Sequence, residues 1–442
     1  MDQIMTERND DMKKCIFTIC AKNYLGLAYL MGSSVRKHEP ETDFLIVVAD
    51  EFECCRPEGT EGNVIVAREV LGIDEWLWLD MAFKYNLTEF CTSIKPFCVE
   101  YFFREGYDKV CYLDPDTYLF SSFSQIWEKL DSFLVVTAPH LALPAYPYEG
   151  DLPDRSFLFN GISNLGFGAF RKSDKTLNLM SWWQDRLKTQ CFGEMIRAQC
   201  TDQKWTDFFQ AFLEPDELLV SGNLGLNLAP WNYHEREVSC VDGTYYVTSR
   251  AGISPRRDQL VLFHFAGYNY RQFAVSGLVD NEARMRISNL RQYSDIEPLV
   301  AQYAATVHAS RETIESFLNL PYTYGSFDNG DRIDKMHRRL YNGMVEYFGE
   351  KGNPFRTGKG TFHARLRKAG MIDKSTRVDS LNETNIPSYD RKLRVLYALL
   401  RVFYRIVGYR NYVLLLQFAR RISLFDMNTF LLGKEFENKG LR

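Results

Sequence analysis

The segment Lys109-Val-Cys-Tyr-Leu-Asp-Pro-Asp-Thr-Tyr-Leu-Phe120 joins an apolar, strand-like run to two carboxylates spaced i, i+2. In an extended chain this spacing points both side chains to the same side. Pro115 excludes helix and holds Asp114 extended. We therefore expect Asp114 and Asp116 to present oxygen ligands at a strand tip, suited to Mg²⁺ or Mn²⁺ carrying a diphosphate. Asp-Pro-Asp is also a common solvated turn, so the triplet alone leaves both interpretations open.

Length and composition limit the class of protein. A chain of 442 residues has room for two or three domains and a large core. Its apolar content of 45% and charged content of 25% are typical of a soluble globular enzyme. With 53 basic and 57 acidic residues the net charge is −4, which argues against nucleic acid as a partner.

Cysteine usage and apolar runs predict the cellular location. The ten cysteines show no metal-binding spacing, and Cys15, Cys20 and Cys111 lie in apolar strands, where Cys serves as a small hydrophobe. The acidic N-terminus lacks the apolar core of a signal peptide, and no apolar run reaches the length of a membrane span. We expect a cytoplasmic protein with free thiols.

Strand-like and helix-like segments alternate in the first half of the chain. This alternation predicts an α/β fold with a mostly parallel, three-layer sheet. Ligands of such sheets bind beyond the carboxyl ends of the strands. Asp50 and the Asp114/Asp116 pair both follow such ends. The predicted strands cover 15–20, 44–49, 64–67 and 107–113, with helical periodicity over 25–37 and 74–106.

Two later features of the pattern concern domain organisation. Residues 139–160 are rich in Pro, Tyr, Gly and Asp and are predicted to form a long irregular loop over a substrate. From about residue 280 the pattern changes to helices with charged faces. We therefore expect an α/β domain over 1–280 and a mainly helical C-terminal region over 281–442.

The segment 391–421 carries eight Lys or Arg residues and no Asp or Glu. On a helix, Arg394, Arg401 and Arg405 share one face, opposite a face of Leu, Phe, Ile and Val. Such a helix can lie on an anionic membrane surface. The alternative is a C-terminal helix whose apolar face packs on its own domain.

Several motifs, taken in order, resemble the GT-A-fold glycosyltransferases, and most of all glycosyltransferase family 8. The resemblance covers about residues 13–275, which implies that 1–280 is a catalytic domain binding a nucleotide sugar. Its motifs are Ala21-Lys-Asn-Tyr24, Pro40-Glu-Thr-Asp-Phe-Leu-Ile-Val-Val-Ala-Asp50, Ser93-Ile-Lys-Pro-Phe-Cys-Val-Glu100, Tyr112-Leu-Asp-Pro-Asp116, Ser163-Asn-Leu-Gly-Phe-Gly168, Asp202-Gln203 and His264-Phe-Ala-Gly267.

The resemblance implies roles for individual residues. A divalent cation, Mn²⁺ or Mg²⁺, would be bound by Asp114, Asp116 and His264. Asp202 and Gln203 would contact the donor sugar and the acceptor and act in catalysis. Contacts to the nucleotide-sugar donor would come from Ala21, Asn23, Tyr24, Asp50, Lys95, Asp114, Asn164, Gly166 and Gly267.

The chain departs from the family pattern at two places. After its His-Phe-x-Gly motif the family usually has a phosphate-binding Lys-Pro-Trp, whereas this chain reads Tyr268-Asn-Tyr-Arg271, so Arg271 is the candidate cation. After Asp202-Gln203 the chain has Lys204-Trp205, where an acidic residue is common.

The implied activity is transfer of a hexose-type sugar from a nucleotide diphosphate, expected to be UDP, to a saccharide or lipid-linked saccharide. The resemblance implies a step in polysaccharide biosynthesis, and the basic segment 391–421 would place the protein at the inner face of the membrane. Family 8 implies retention of the donor's configuration. An inverting enzyme would instead need a carboxylate base, for which Asp202 or Asp207 is a candidate.

Three other functions compete with this one. A haloacid-dehalogenase-like phosphatase also places Asp-x-Asp after a strand, but that family has Thr or Val at the position where this chain has Tyr118. A sugar-nucleotide pyrophosphorylase needs a Gly-rich phosphate loop, and only Gly26 occurs here. A non-catalytic sugar- or nucleotide-binding protein on a transferase fold stays open.

Overall fold

The computed structural model describes residues 12–52, 62–279, 290–372 and 386–437. The chain forms two compact units, one made of Met1–Ile73 with Leu87–Tyr322 and the other of Asp74–Asn86 with Thr323–Arg442. The domain boundary predicted at 280–281 lies outside the described residues and stays a prediction.

The first unit is built around a seven-stranded sheet. Its strand order is β10-β6-β7-β4-β1-β2-β3, and every neighbouring pair is parallel except those of β7, which runs antiparallel to β4 and β6. In chain order the strands are β1 (Lys14–Cys20), β2 (Asp43–Val48), β3 (Val64–Val66), β4 (Lys109–Leu113), β5 (Thr117–Leu119), β6 (Val135–Pro139), β7 (Ser163–Arg171), β8 (Gly193–Glu194), β9 (Gln199–Cys200), β10 (Leu218–Val220), β11 (Arg236–Val241), β12 (Thr244–Ser249), β13 (Arg257–Gln259) and β14 (Leu262–His264).

Helices cover both faces of this sheet. Successive residues of a strand point to opposite sides, so each strand packs side chains against both helical layers. Ile16 of β1 packs in a core cluster with side chains of α1 and α6, whereas Phe17 packs against Phe102 of α5 with ring centroids 4.9 Å apart. The described helices are α1 (Leu25–His38), α2 (Ala67–Val70), α3 (Glu75–Lys84), α4 (Leu87–Ser93), α5 (Lys95–Arg104), α6 (Ser124–Ser132), α7 (Arg155–Asn160), α8 (Asp174–Leu187), α9 (Phe209–Phe212), α10 (Tyr270–Ser276), α11 (Glu297–Ala309), α12 (Arg311–Leu318), α13 (Lys335–Phe348), α14 (Phe362–Lys368) and α15 (Tyr389–Ile422).

The predicted α/β class with a mostly parallel sheet is confirmed, and one local prediction is corrected. The loop predicted over 139–160 contains a helix, α7, whose Gly161 ends it with a φ of +96°. The short strand β14 ends at His264 and pairs antiparallel with β5 outside the main sheet. That pairing brings His264 opposite Thr117, the residue after Asp116.

The second unit is helical and has a core of its own. Phe83 of α3 contacts Tyr341 of α13 at 4.8 Å and Phe355 at 5.0 Å. The buried guanidinium of Arg338 donates to four backbone carbonyls, those of Ala82, Phe83, Tyr85 and Tyr324. These contacts join the short early segment of the chain to the C-terminal helices.

The basic segment lies in α15, which has no buried residue among those described. Gly408 interrupts this helix with a φ of +75° and a ψ of 171°, a conformation that suits glycine. Apolar side chains on both sides of the break are exposed, among them Ile406 and Phe418. The predicted alternative, an apolar face packed on its own domain, is therefore wrong for the described residues. None of the described helices combines the length and the hydropathy needed to span a membrane.

Candidate functional site

The two carboxylates of Asp114 and Asp116 leave the carboxyl end of β4, as predicted. The backbone N–H of Asp114 donates to the carbonyl of Gly166 on β7 at 2.9 Å. Thr117 then turns the chain, donating its N–H at 3.1 Å and its hydroxyl at 2.8 Å to the Asp114 carbonyl. The carboxylates are about 30% exposed, so they face a solvent-accessible space while their backbone is held by the sheet.

His264 completes this cluster from β14. Its Nε2 lies 3.2 Å from Asp116 Oδ1 and 3.7 Å from Asp114 Oδ2. One ligand atom from each residue lies within 4.8 Å of the other two. Burial alone would lower the pKa of His264, but the two carboxylates outweigh it, and the pKa is raised. Partial burial likewise opposes ionisation of Asp116, yet His264 lowers its pKa, while burial leaves that of Asp114 raised despite Lys95 and His264.

A buried chain of amide and imidazole groups orients His264. Asn227 donates its amide nitrogen to Asn164 Oδ1 at 3.1 Å, so Asn227 Oδ1 is left to accept from Nδ1 of His264 at 3.2 Å. Asn164 in turn lies 3.5 Å from Nε2 of His140, whose Nδ1 donates to the Gly161 carbonyl at 2.9 Å. Burial lowers the pKa of His140 to about 4, so this imidazole is neutral and accepts from Asn164.

The residues present fit a divalent cation. Because Nδ1 of His264 carries the proton and donates it to Asn227 Oδ1, the lone pair of the neutral ring is on Nε2 and points at Asp116 and Asp114. An imidazole lone pair and two carboxylates at such distances repel one another unless a proton or a cation lies between them. Two carboxylates and one imidazole form a donor set that Mn²⁺ accepts, and the carboxylates alone suit Mg²⁺.

A cavity of about 220 Å³ opens beside the carboxylates. Its walls come from the residues after β1, from α4 and from the end of β4, and include the predicted Ala21 and Tyr24. Asp50 is fully buried and does not line it; its carboxylate accepts the backbone N–H of Lys22 at 2.8 Å. Asp50 thus holds the turn that forms the wall, and Asn23 lies within that turn.

A second cavity, of about 380 Å³, shares Tyr24 and Asp116 with the first as lining residues. The predicted Gly267 and Arg271 both line it, together with aromatic residues such as Tyr270 and Tyr303. The backbone N–H of Phe265 donates to the Asp116 carbonyl at 2.8 Å, which ties the His264–Gly267 segment to the carboxylate turn. The structure therefore brings Arg271 to the same region as the metal-binding candidates.

Lys95 and Asp202, predicted as separate donor and catalytic residues, form one buried ion pair. Lys95 Nζ lies 2.6 Å from Asp202 Oδ2 and also donates to the Leu165 carbonyl at 3.0 Å. The ammonium sits 4.1 Å above the ring of Tyr112, whose hydroxyl donates to Asp114 at 2.5 Å. This pair thus reaches the carboxylate cluster through Tyr112.

Gln203 and Gly166 have surroundings that the motifs did not indicate. Gln203 is half-buried, and its amide nitrogen lies 3.4 Å from the sulfur of Cys200. At Gly166, a Cβ atom would lie 2.3 Å from Cε1 of His264 and 2.8 Å from Oδ1 of Asn164. Gly166 therefore provides space for the imidazole ring.

Sequence reasoning missed Tyr112, His140, Asn227 and Trp231. Trp231 packs edge-on against His264, with ring centroids 5.2 Å apart. Asn227 has a φ of +59°, a left-handed conformation that Asn tolerates better than most residues. Tyr112 stands beside the Asp-x-Asp triplet and could have been noticed there, whereas the other three carry no local signal.

No protein-family profile and no curated protein sequence matches the chain. Structural alignment finds similarity to glycosyltransferases of solved structure. The galactosyltransferase LgtC, solved with donor and acceptor sugar analogues, is 15% identical over 69% of this chain and 97% of its own, with a TM-score of 0.38. Mouse xyloside xylosyltransferase 1 is 11% identical over 58% and 98%, with a TM-score of 0.35. The bifunctional WbbM is 14% identical over 59% and 46%, with a TM-score of 0.34. Similarity at this level assigns no activity to the chain.

Proposed function

We propose that this chain is a metal-dependent glycosyltransferase that moves a hexose-type sugar from a nucleotide diphosphate donor, expected to be UDP-linked, to a saccharide or lipid-linked saccharide. The observation that carries the proposal is the cluster of Asp114, Asp116 and His264 beside the 220 Å³ cavity. A cation ligated at the rim of a small-molecule cavity is an arrangement that suits a nucleoside diphosphate.

In this proposal Asp114, Asp116 and His264 hold Mn²⁺ or Mg²⁺. The cation would neutralise the charge that develops on the departing nucleoside diphosphate. The cavity walled by Ala21 and Tyr24 accepts the nucleoside, with Asn23 in the turn between them, and Arg271 in the adjoining cavity supplies a positive charge for the diphosphate. Asn164 and Gly166 act chiefly by keeping His264 in place.

The proposed outcome is retention of the donor's configuration. An inverting mechanism needs a carboxylate free to take the acceptor proton. Asp202 is paired with the buried Lys95 at 2.6 Å, and Asp207 accepts the N–H of Ile162 at 2.9 Å and pairs with Lys204 at 2.7 Å. Because both candidate bases are engaged, we assign Asp202 and Gln203 to orienting the donor sugar and acceptor.

The first test is Mn²⁺-dependent hydrolysis of UDP-, GDP- and other nucleotide sugars, followed by product analysis with saccharide acceptors. We expect turnover of a UDP-sugar that EDTA abolishes and Mn²⁺ restores, and loss of turnover in Asp116→Asn. Asp258→Asn, which removes a carboxylate that belongs neither to the cluster nor to the lining of its cavity, is the matched control. Nucleotide binding without turnover would favour the non-catalytic alternative. Phosphate release from simple phosphomonoesters would favour a phosphatase.

We further propose that residues 391–421 hold the protein at the anionic inner face of a membrane. The segment has eight basic and no acidic residues, and most of its apolar side chains are exposed on α15. Both features match an interfacial helix. Each basic residue near an anionic surface contributes about 1 kcal/mol, so Arg401→Gln with Arg405→Gln should weaken binding to phosphatidylglycerol vesicles about 30-fold. Equal binding of the variant, or equal binding to phosphatidylcholine vesicles, would contradict the proposal.

A further inference from the structure

A third cavity, of about 400 Å³, lies in the first unit on the 3₁₀ helix Gln203–Phe208. We call it the Trp205 cavity; it is lined by Gln190, Arg197, Gln199, Lys204, Trp205 and Phe208, together with Ala198 and Asp207. Its volume lies in the range of small-molecule sites. None of the residues that line the cavity beside the metal cluster lines this one.

One wall of the Trp205 cavity is aromatic and solvent-accessible. The rings of Trp205 and Phe208 are stacked with centroids 6.1 Å apart and planes 27° apart. The stack continues from Phe208 to Phe212 at 6.2 Å and 23°. Phe208 stacks on both Trp205 and Phe212, yet its side chain is 50% exposed, so part of the ring is accessible to a ligand. Accessible aromatic carbon at a cavity wall offers apolar contact for the C–H groups of a pyranose ring.

The rest of the lining is polar and includes an unsatisfied acceptor. The side-chain oxygen Oε1 of Gln199 is buried and has no hydrogen-bond partner within the described chain. Lys204 pairs with Asp207 at 2.7 Å across the same lining. An acyl chain would desolvate these groups without replacing their hydrogen bonds, which is unfavourable. The hydroxyl groups of a sugar would instead hydrogen-bond with the Lys204–Asp207 pair and, once the Gln199 side chain turns toward the cavity, with its Oε1, so the lining favours a sugar over a lipid.

The Trp205 cavity is connected, along the chain and through one hydrogen bond, to the residues proposed for transfer. Its helix begins at Gln203, directly after Asp202. Asp207 accepts the N–H of Ile162, the residue before β7, and β7 carries Asn164 of the His264 network. We propose that the Trp205 cavity binds a hexose unit of the saccharide acceptor, one that does not itself carry the reacting hydroxyl. The role as an acceptor site rests on the proposed transferase activity, whereas sugar binding can be measured without it.

The test is ¹⁹F NMR of the full chain labelled with 5-fluorotryptophan, using lactose, maltose, cellobiose and chitobiose as probes. Trp205→Phe assigns the Trp205 resonance. We expect at least one disaccharide to shift this resonance saturably and to leave that of the buried Trp78 unchanged. Gln199→Ala should weaken binding about two- to tenfold, the contribution of one hydrogen bond. Because Oε1 has no protein partner, the variant should keep its melting temperature.

Gln210→Ala is the matched control, because Gln210 is exposed on α9 and does not line the cavity. The proposal is overturned if no disaccharide shifts the Trp205 resonance, or if Gln199→Ala binds as tightly as Gln210→Ala. A shift produced only by detergent or phospholipid would also overturn it. Calorimetry with Mn²⁺ and UDP separates the two proposals: nucleotide binding without sugar binding refutes the cavity assignment alone, and sugar binding without nucleotide binding refutes the transferase.

Discussion

Replacing Gly166 by Ala tests whether the space above this residue keeps His264 in the metal-binding cluster. The added Cβ would lie 2.3 Å from Cε1 and 2.5 Å from Nδ1 of His264. Ordinary van der Waals contact begins at 3.4 Å, so the ring has to retreat by about 1.1 Å. Gly166 lies within strand β7 and has no left-handed φ, so Ala adds no backbone strain of its own.

The size of this displacement sets the expected loss. Metal–ligand distances tolerate deviations of only about 0.2 Å, so a ring moved by about 1.1 Å no longer coordinates together with both carboxylates. Disturbing the groups that orient a ligand typically costs 10–100-fold in metal affinity. We therefore expect the Kd for Mn²⁺ to rise at least about tenfold. Overpacking should also lower the free energy of unfolding by about 1–3 kcal/mol, which leaves the chain folded.

Isothermal titration calorimetry with Mn²⁺ in the presence of UDP measures this change. Gly168→Ala is the matched control, because it lies two residues along β7 and its added Cβ would meet only Phe170, at 3.3 Å. This variant should bind Mn²⁺ like the wild type. A folded Gly166→Ala protein with the wild-type Kd would refute the argument that His264 is a ligand held by this space.

Three further predictions concern buried polar groups. Lys95→Met leaves the buried carboxylate of Asp202 without its ion-pair partner and should lower the free energy of unfolding by about 3–5 kcal/mol. Adding Asp202→Leu should restore part of this stability. A double variant less stable than Lys95→Met would argue against the pair. The pKa of His140 is about 4 in the folded chain, below its unfolded value. The stability that its neutral imidazole contributes is therefore fully present above pH 6.5 and is lost as pH falls toward 4. His140→Asn should therefore remove up to about 3 kcal/mol of the stability lost between pH 6.5 and 4 in denaturant titrations, and parallel pH profiles would contradict this. Arg338→Met leaves four buried carbonyls without this donor and should lower the free energy of unfolding by at least about 3 kcal/mol, which thermal unfolding measures. An unchanged melting temperature would contradict this.

The parts of the site that could be predicted are those whose chemistry is local. Asp114, Pro115 and Asp116 follow a buried strand, so their spacing alone directs two carboxylates to the sheet edge. The Ala21–Tyr24 turn could be placed for the same reason, since it follows β1, a parallel neighbour of β4. Lys95 and Asp202 could be recognised individually, but not as a pair, because each residue also suited a separate ligand contact.

Local pattern and strand-end chemistry were sufficient for the α/β class and for the carboxylate pair, because strand period, proline geometry and carboxylate spacing act over a few residues. The antiparallel pairing of β14 with β5, which brings His264 opposite Thr117, depends on contacts between distant segments. So do the Asn227–Asn164–His140 chain and the space at Gly166, since each exists only where separate strands meet. The position of His264 beside the two carboxylates, the pairing of Asp202 with Lys95 and the exposure of α15 were therefore decided by packing in three dimensions, which no spacing along the chain records.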